Sequence, residues 1–270
     1  MSGERPTHEE IRSVWDAIAG YWDEQMEAGN TMQQPLIEPA VERILDVRPG
    51  ERILEIACGN GQFSRRMAEL GARVLATDFS EAMLERARAR GGDIEYRHAD
   101  ATDEGSLRSL GASSFDAIVC NQAMMDIVDL DAMASAIPAL LARGGRFVFS
   151  ILHPAFNSND ATRVIEQFDD DRGLVRRYGV KVSSYRSPAT GKGVALEGQP
   201  VTQWYFHRSM TDLLAPFFRH GLVVDAIDEP VLDPTGIRPG STTMIFTEIP
   251  LVLIVRMRVG DRSGTNRPAP

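Results

Sequence analysis

The sequence predicts an α/β protein built on a doubly wound, mostly parallel sheet. Three observations lead there. Short apolar runs alternate with helical segments between residues 52 and 152. One of those runs passes straight into a glycine pair, Gly59 and Gly61. Continuous apolar stretches such as Ala117 to Cys120 suit strands covered on both faces.

Each element follows in order. Residues 1–10 read as a frayed start. Ile11, Val14, Trp15, Ile18 and Trp22 recur at helical spacing, which predicts an amphipathic helix over 9–27. A second helix follows Pro35 and runs to Leu45, and Arg48, Pro49 and Gly50 make a turn. Strands are expected at Arg52–Ala57, Arg73–Thr77, Ile94–His98, Phe115–Cys120 and Arg146–Leu152, with helices between them at 63–70, 80–90, 104–110 and 131–142. Gly71 and the pair Gly91 and Gly92 fit helix stops, and Ser80 fits a cap. Right-handed crossovers then give a parallel sheet with helices on both faces.

Beyond residue 154 the alternation breaks down. Residues 154–207 hold no clean helix but include β-like pieces at Val180–Tyr185 and Val201–Phe206, so they read as an insertion, partly β-hairpin, beyond the end of the fifth strand. Ser209 and Asp212 form a capping pair opening a helix to His220, with Gly221 as its stop. Leu222–Ile227 and Leu251–Val259 finish the fold with no helix expected between them, which favours antiparallel pairing. Residues 260–270 read as a disordered tail.

Composition narrows the function. A chain of 270 residues with 43% hydrophobic and 25% charged residues can bury a core. A net charge of −9 argues against a nucleic-acid partner, because phosphate contacts need a basic face. Cys58 and Cys120 lie in apolar runs without metal-ligand spacing and read as reduced core thiols; no metal site is expected. The polar, acidic start is unlike a signal peptide, and the longest apolar run, Ile249 to Val255, is too short to span a bilayer. The expected location is the cytoplasm, with no membrane partner and a monomer or homodimer as the state.

Three turns carry the chemistry. Gly59 and Gly61 let the backbone turn sharply and let a ligand approach the main chain. The next strand ends in Thr77 and Asp78, seventeen positions after Gly61, where an acid can accept from both ribose hydroxyls of an adenosyl ligand. The alternative for Asp78 is a cap on the helix near Ser80. Asp100 follows the third strand, where a carboxylate can accept from an adenine amine; its alternative is a solvated loop acid. Three such residues at successive strand ends point to the ligand edge of an open α/β sheet.

The stretch from Ile53 to Leu152 resembles the class I S-adenosylmethionine-dependent methyltransferases, in their small-molecule branch. The resemblance rests on Glu55, Ile56, Ala57, Cys58, Gly59, Asn60 and Gly61, an acid followed by a small residue and a G-x-G. Ala57 stands where many members carry glycine. The resemblance implies a Rossmann-like, seven-stranded sheet with its last strand antiparallel, and S-adenosylmethionine as cofactor. It implies that Ala57, Cys58, Gly59 and Gly61 pack along the methionine part, with Glu55 holding the loop through backbone amides or reaching the cofactor amine through water. Asp78 and Ser80 would serve the ribose, Phe79 and Met83 flank adenine, Asp100 and Ala101 read its edge, and Asn121, Gln122 and Ala123 line the methionine end. Tyr21 and Trp22, followed by Asp23, resemble an aromatic-plus-acid segment that lids the cofactor; the alternative is that Trp15, Ile18 and Trp22 are a helix core stripe. His207 with Arg208, and Asp228 with Glu229 and Pro230, also resemble this branch. The chain then divides into an N-terminal helical cap (1–48), a cofactor-binding core (49–153), an insertion covering the substrate (154–207), the rest of the core (208–259) and the tail (260–270).

The implied reaction is in-line attack of a small-molecule acceptor on the sulfonium methyl, and a base is needed only when the nucleophile carries a proton. Candidate bases are His153, His207 and Asp126. Each also has a plain reading, a structural hydrogen bond for the histidines and a solvated loop acid for Asp126. Met124, Met125, Phe156, Trp204 and Tyr205 are candidates for an apolar acceptor wall. Residues 121–125 lack the Asn/Asp-Pro-Pro-aromatic motif of enzymes that methylate planar nitrogens. Two rivals remain. A nicotinamide- or flavin-dependent oxidoreductase would want a third glycine where Ser64 stands, and a non-catalytic adenosyl-ligand binder would share every binding residue.

Overall fold

The computed structural model describes residues 5–27, 32–158, 161–171, 173–187 and 189–260. The core is a seven-stranded sheet formed by β1 (Arg52–Ile56), β2 (Arg73–Asp78), β3 (Ile94–His98), β4 (Phe115–Asn121), β5 (Leu141–Leu152), β10 (Leu222–Asp228) and β11 (Val252–Val259). Its spatial order is β3-β2-β1-β4-β5-β11-β10. Strands β1 to β5 are parallel where they pair, and the last strand, β11, runs antiparallel to both β5 and β10.

Alternation along each strand feeds two apolar layers. Leu54, Ile118, Phe147, Phe149 and Val255 face α5 (Glu104–Arg108), α6 (Asp131–Leu140) and α7 (Met210–Arg219). Phe147 and Phe149 stack on Phe217 of α7 with centroids 5.4 and 6.0 Å away. Ile53, Ala117, Val119, Val148 and Ile254 face the other way, toward α2 (Glu38–Leu45), α3 (Gln62–Glu69) and α4 (Glu81–Ala89). A sheet covered on both faces explains why its strands read as near-continuous apolar runs.

Several boundaries depart from the sequence expectation. The start is not frayed over residues 5–10. Thr7 caps α1 (His8–Glu27) by accepting from Glu10 N at 3.2 Å, and Glu10 accepts from Thr7 N at 2.7 Å. This is a reciprocal capping box, legible as Thr7-x-x-Glu10. Residues 1–4 and 261–270, the latter covering nearly all of the expected tail, lie outside the described residues. Strand β5 begins at Leu141, five residues early, because Leu141 pairs with Phe115 before a register shift restores the ladder at Ala117 and Arg146. A short 3₁₀ helix, Thr242–Thr247, stands between β10 and β11, where no helix was expected.

The insertion is two hairpins. One pairs β6 (Ala161–Asp170) with β7 (Gly173–Val182), and the other pairs β8 (Ala189–Gly193) with β9 (Gln203–His207). The first leans on the 3₁₀ helix, with Arg163 over the Phe246 ring at 4.8 Å and Tyr178 Oη accepting from Gly240 N at 3.0 Å. The second faces α1, where Tyr21 Oη donates to the carbonyl of Glu197. No helix among the described residues is long and apolar enough to cross a membrane.

At the edge opposite the glycine turn, Arg146 saturates its guanidinium. It donates to the carbonyls of Leu45, Asp46 and Asp116 and to both oxygens of Glu51. Burial pushes the Glu51 carboxyl up, but hydrogen bonds from Arg146 and Arg48 outweigh this and hold it below the usual range.

Candidate active site

The sheet's filling direction reverses between β1 and β4, and ligands of open α/β sheets bind beyond strand ends at such a crevice. The two residues that leave those strands there are strained in matching ways. Ala57 has φ 59° and Gln122 has φ 52°, left-handed conformations that non-glycine residues adopt at a cost of about 1 kcal/mol or more. Gln122 is held by its backbone N and its Nε2, both 3.0 Å from Ser150 Oγ, and Ser150 in turn donates to Asn121 Oδ1 at 2.5 Å.

The glycine turn has one open and one filled side. A Cβ added at Gly59 would meet nothing within 4 Å, whereas one at Gly61 would overlap Tyr96 Oη. Gly59 therefore borders free space, a cradle that a side chain would fill, while Tyr96 backs the loop. The Asp78 carboxylate joins the first two turns, accepting from Gly59 N at 2.8 Å and from Ser80 N at 2.9 Å. Burial pushes Asp78 up to about 6 against those backbone bonds. A carboxylate has about four acceptor sites, so two amides leave capacity for hydroxyls. Ser80 Oγ also caps α4, accepting from Met83 N at 3.1 Å. These residues fit an adenosyl ligand with a diol.

Other predicted residues take different partners. Glu55 is 2% exposed and accepts from Ser64 Oγ; no backbone amide of the loop reaches it. Burial pushes its carboxyl up to about 8. Met83 is 1% exposed, so it packs beneath the rim, while Phe79 carries the edge of the His8 ring at 5.7 Å. Asp100 is engaged on both oxygens, with Oδ1 accepting from Thr102 N and Oγ1, each at 2.8 Å, and Oδ2 3.1 Å from His8 Nε2. Ala101 and Cys58 are buried beside these turns, and burial pushes the Cys58 thiol well up, so it stays protonated. Ala123 packs against the core at the far side of the crevice.

Helix α1 lies across all three turns. His8 reaches Asp100, Asp16 accepts from Ser80 Oγ at 2.5 Å, and Asp23 accepts from Asn60 Nδ2 at 3.0 Å. Asp23 also takes a two-pronged ion pair from Arg90, 3.0 Å on each oxygen. The aromatics of the predicted lid segment sit elsewhere. Trp22 packs edge-on against Trp15 at 5.3 Å, and Tyr21 holds the insertion. Of the expected lid segment it is the acid, Asp23, that reaches the glycine turn. Sequence reasoning missed His8 and Asp16 as rim contacts.

On the acceptor side, a small open cleft of about 30 Å³ is lined by Met125, Ile151, Leu152, Tyr205, Phe206 and His207 among others. Of the five residues expected to wall it, Met125 and Tyr205 do so. Met124 is fully buried in the core, Phe156 stacks on His153 at 4.5 Å, and Trp204 lies under Lys192 Nζ at 4.2 Å on the other face of β9.

The candidate bases differ sharply. His153 accepts at Nδ1 from Ala155 and Phe156 N at 3.2 and 3.3 Å, so Nε2 carries the proton toward Glu229 Oε1 at 2.8 Å. Both nitrogens are used, so the ring ties the loop after β5 to Glu229, and burial lowers its proton affinity. His207 Nε2 lies 2.9 Å from the Tyr185 carbonyl, which fixes its ring. Asp126 is 9% exposed, far from a solvated loop acid, and accepts from Gln203 Nε2 at 3.1 Å. Burial pushes it up to about 8. No group of three or more His, Cys, Asp or Glu among the described residues could hold a metal ion.

Residues 54–149 match the family described as a methyltransferase domain. The solved structure of an S-adenosylmethionine dependent methyltransferase from Mesorhizobium loti superposes with a TM-score of 0.61 at 28% identity, covering 82% of this chain and 96% of that one. Residues 54–149 are thus similar to a methyltransferase domain, and the fold around them is that of an S-adenosylmethionine dependent methyltransferase. Among curated relatives, a demethylmenaquinone methyltransferase from Clavibacter sepedonicus is 33% identical over 142 residues, 52% of this chain and 56% of that protein. A ubiquinone biosynthesis O-methyltransferase from Xanthomonas axonopodis pv. citri is 34% identical over 108 residues, 38% of this chain and 44% of that protein. The chain thus spans about half the length of the curated relatives it matches. Within this methyltransferase domain, Ser64 occupies the place of a third dinucleotide-fold glycine and spends its hydroxyl on Glu55, a bond a nicotinamide fingerprint would lack.

Proposed function

We propose that the chain transfers a methyl group from S-adenosylmethionine to a small-molecule acceptor bound in the cleft between β5, β9 and the turn after β4. The observation that carries this reading is the Asp78 carboxylate, which ties the Gly59 amide to the Ser80 amide and leaves acceptor capacity beside an open glycine. When bound, S-adenosylmethionine supplies a methyl carbon already activated for displacement. The protein's part is placement. Gly59 lets the main chain lie against the ligand, Asp78 holds the ribose, and the Asn121–Ala123 turn borders the reacting end. Met125 and Tyr205 exclude water and hold the acceptor in line, and alignment of this kind supplies several kcal/mol of the barrier. The names of two of the relatives, a demethylmenaquinone and a ubiquinone biosynthesis methyltransferase, favour a small acceptor, and the net charge of −9 speaks against a nucleic acid. The cytoplasm is the location consistent with a chain built on an intracellular metabolite.

The reading is tested by calorimetry with S-adenosylhomocysteine, then by transfer of labelled methyl from the cofactor into a metabolite panel. Binding with transfer is expected. Well-folded protein that takes up no S-adenosylhomocysteine would end the proposal, and binding without transfer to any acceptor would favour a non-catalytic sensor.

A further inference from the structure

A second cavity lies at the sheet edge that carries Arg146, away from the cofactor turns. Its volume is about 130 Å³, against about 30 Å³ for the acceptor cleft, and charged side chains and glycines make up its wall. Glu51 precedes β1, Asp116 opens β4 and Arg146 lies early in β5, whereas the glycine turn follows the far end of β1. At about 3.3 Å per residue, roughly 15–20 Å of strand separates the two. A cavity needs about 10–15 Å³ to take one water, so this one has room for a ligand of several heavy atoms.

Arg48, Arg143, Arg146 and Arg258 line this cavity against the carboxylates of Asp46, Glu51 and Asp116. Cations therefore outnumber carboxylates there, in a chain whose net charge is −9. The carboxylates are largely committed. Glu51 gives both oxygens to Arg146 and accepts from Arg48 N at 2.9 Å, Asp46 accepts from Arg48 Nη2 at 3.1 Å, and Asp116 Oδ2 accepts from Arg52 N at 2.8 Å. Arg146 is 6% exposed and spends its donors inside the protein, so it forms the floor. Two guanidinium groups have donors to spare. Arg258 shares the single carboxylate of Asp225 with Arg256, and its Nη1 donates to the Gly144 carbonyl at 2.8 Å. Arg143 is exposed and makes no hydrogen bond or ion pair among the described residues. Beside it Gly144 sits at φ 79°, and a Cβ there would meet nothing within 4 Å, so the mouth is open.

We propose that this cavity binds a small oxyanion that also carries a hydroxyl, hydrogen phosphate or the phosphate group of a monoester, with Arg143 and Arg258 on its oxygens and Asp116 accepting from its hydroxyl. A guanidinium presents paired N–H donors whose spacing matches phosphate oxygens. Asp116 keeps Oδ1 as an acceptor among the described residues, and a carboxylate repels an anion that has no hydrogen to offer it. The cavity thereby distinguishes hydrogen phosphate from sulfate, which has the same shape and no hydroxyl. The bound anion would answer the excess of positive charge between β1, β4, β5 and β11. The site stands apart from the methyl-transfer reading and does not depend on it.

Calorimetric titration and thermal unfolding read the site directly, in bis-tris chloride at about pH 6.5, where phosphate keeps a hydroxyl. The probes are inorganic phosphate, methyl phosphate and sulfate, each at constant ionic strength. Both phosphates are expected to bind one per chain with a Kd on the order of 1 mM, and to raise the melting temperature by about 3–5 °C at ten times that concentration. Sulfate should bind at least about 10-fold more weakly, since it leaves Asp116 facing an anion without a hydrogen bond. Arg143→Ala, at an exposed position without partners, should fold as the wild type does and weaken phosphate by about 10-fold. Asp116→Asn keeps an oxygen for Arg52 N and should bring sulfate to within about 3-fold of phosphate. Both variants should bind S-adenosylhomocysteine as the wild type does. Absence of saturable phosphate uptake, or a response that sodium chloride of equal ionic strength reproduces, overturns the site. Phosphate affinity indifferent to Arg143→Ala places the anion elsewhere and overturns it too. Sulfate binding as tightly as phosphate to the wild type overturns the hydroxyl-bearing ligand class. Weaker S-adenosylhomocysteine binding by Arg143→Ala would overturn the separation of this cavity from the cofactor turns.

Discussion

The two halves of the crevice hold their polar groups by different means. At the ends of β2 and β3, carboxylates lean on nearby main chain: Asp78 on Ser80 N, Asp100 on Thr102 N, each two residues away. On the acceptor half, the partners come from far along the chain. Asp126 meets Gln203 across 77 residues and His153 meets Glu229 across 76. A site built from local backbone bonds forms once its strand and turn form. A site built from distant side chains waits on the insertion, and it can be altered by changing the insertion alone. The cofactor half is thus the stable platform and the acceptor half the adjustable part.

Substitutions can break this contrast or sharpen it. The largest effect is expected from Asp78→Ala, which should weaken S-adenosylhomocysteine by about 100-fold in calorimetry, the worth of charged hydrogen bonds lost to the ligand and the glycine turn. An unchanged affinity would mean that the platform does not run through Asp78. Next comes Gly61→Ala. Its backbone sits at φ 71° and the new methyl overlaps Tyr96 Oη, so unfolding free energy should fall by about 2 kcal/mol. Tyr96→Phe in the same chain should recover part of that loss, because the overlapping hydroxyl is gone; no recovery would place the cost in the backbone alone.

A smaller effect, about 1 kcal/mol of stability, is expected from Asp23→Asn, since Arg90 is partly exposed. Burial pushes the Asp23 carboxyl up, but hydrogen bonds from Arg90 and Asn60 and the Arg90 charge win, leaving it below its ordinary value. Its contribution is therefore present above the unfolded-chain value of 3.8 and lost as pH falls through the lower folded value. Acid denaturation followed by circular dichroism should show a shallower loss below about pH 4 in Asp23→Asn. The smallest is Arg163→Ala in the first hairpin, about 0.5 kcal/mol from its ring contact with Phe246. It should lower the melting temperature slightly and leave S-adenosylhomocysteine affinity untouched; a change in that affinity would erase the separation between the halves.

The same contrast explains what the sequence disclosed. The strand–helix alternation, the antiparallel last strand, and the turns at Gly59, Asp78 and Asp100 are local patterns, and all are present in the structure. The lid contacts of His8 and Asp16 and the bond from Gln203 to Asp126 depend on long-range packing that no window of residues contains. His153 shows the converse: its position at a strand end suggested a base, but two amides and Glu229 consume its ring. Met124 looked like a wall residue because it sits beside Met125, yet consecutive residues point to different sides of the chain, and Met124 fell inward.

One feature of α1 bears on how any nucleoside would enter. The imidazole of His8 already touches both the Phe79 ring and the outer oxygen of Asp100. A purine amine aimed at that oxygen would compete with the His8 ring for it. Replacing His8 by Ala would remove that competitor and, with it, one tie of α1 to the rim.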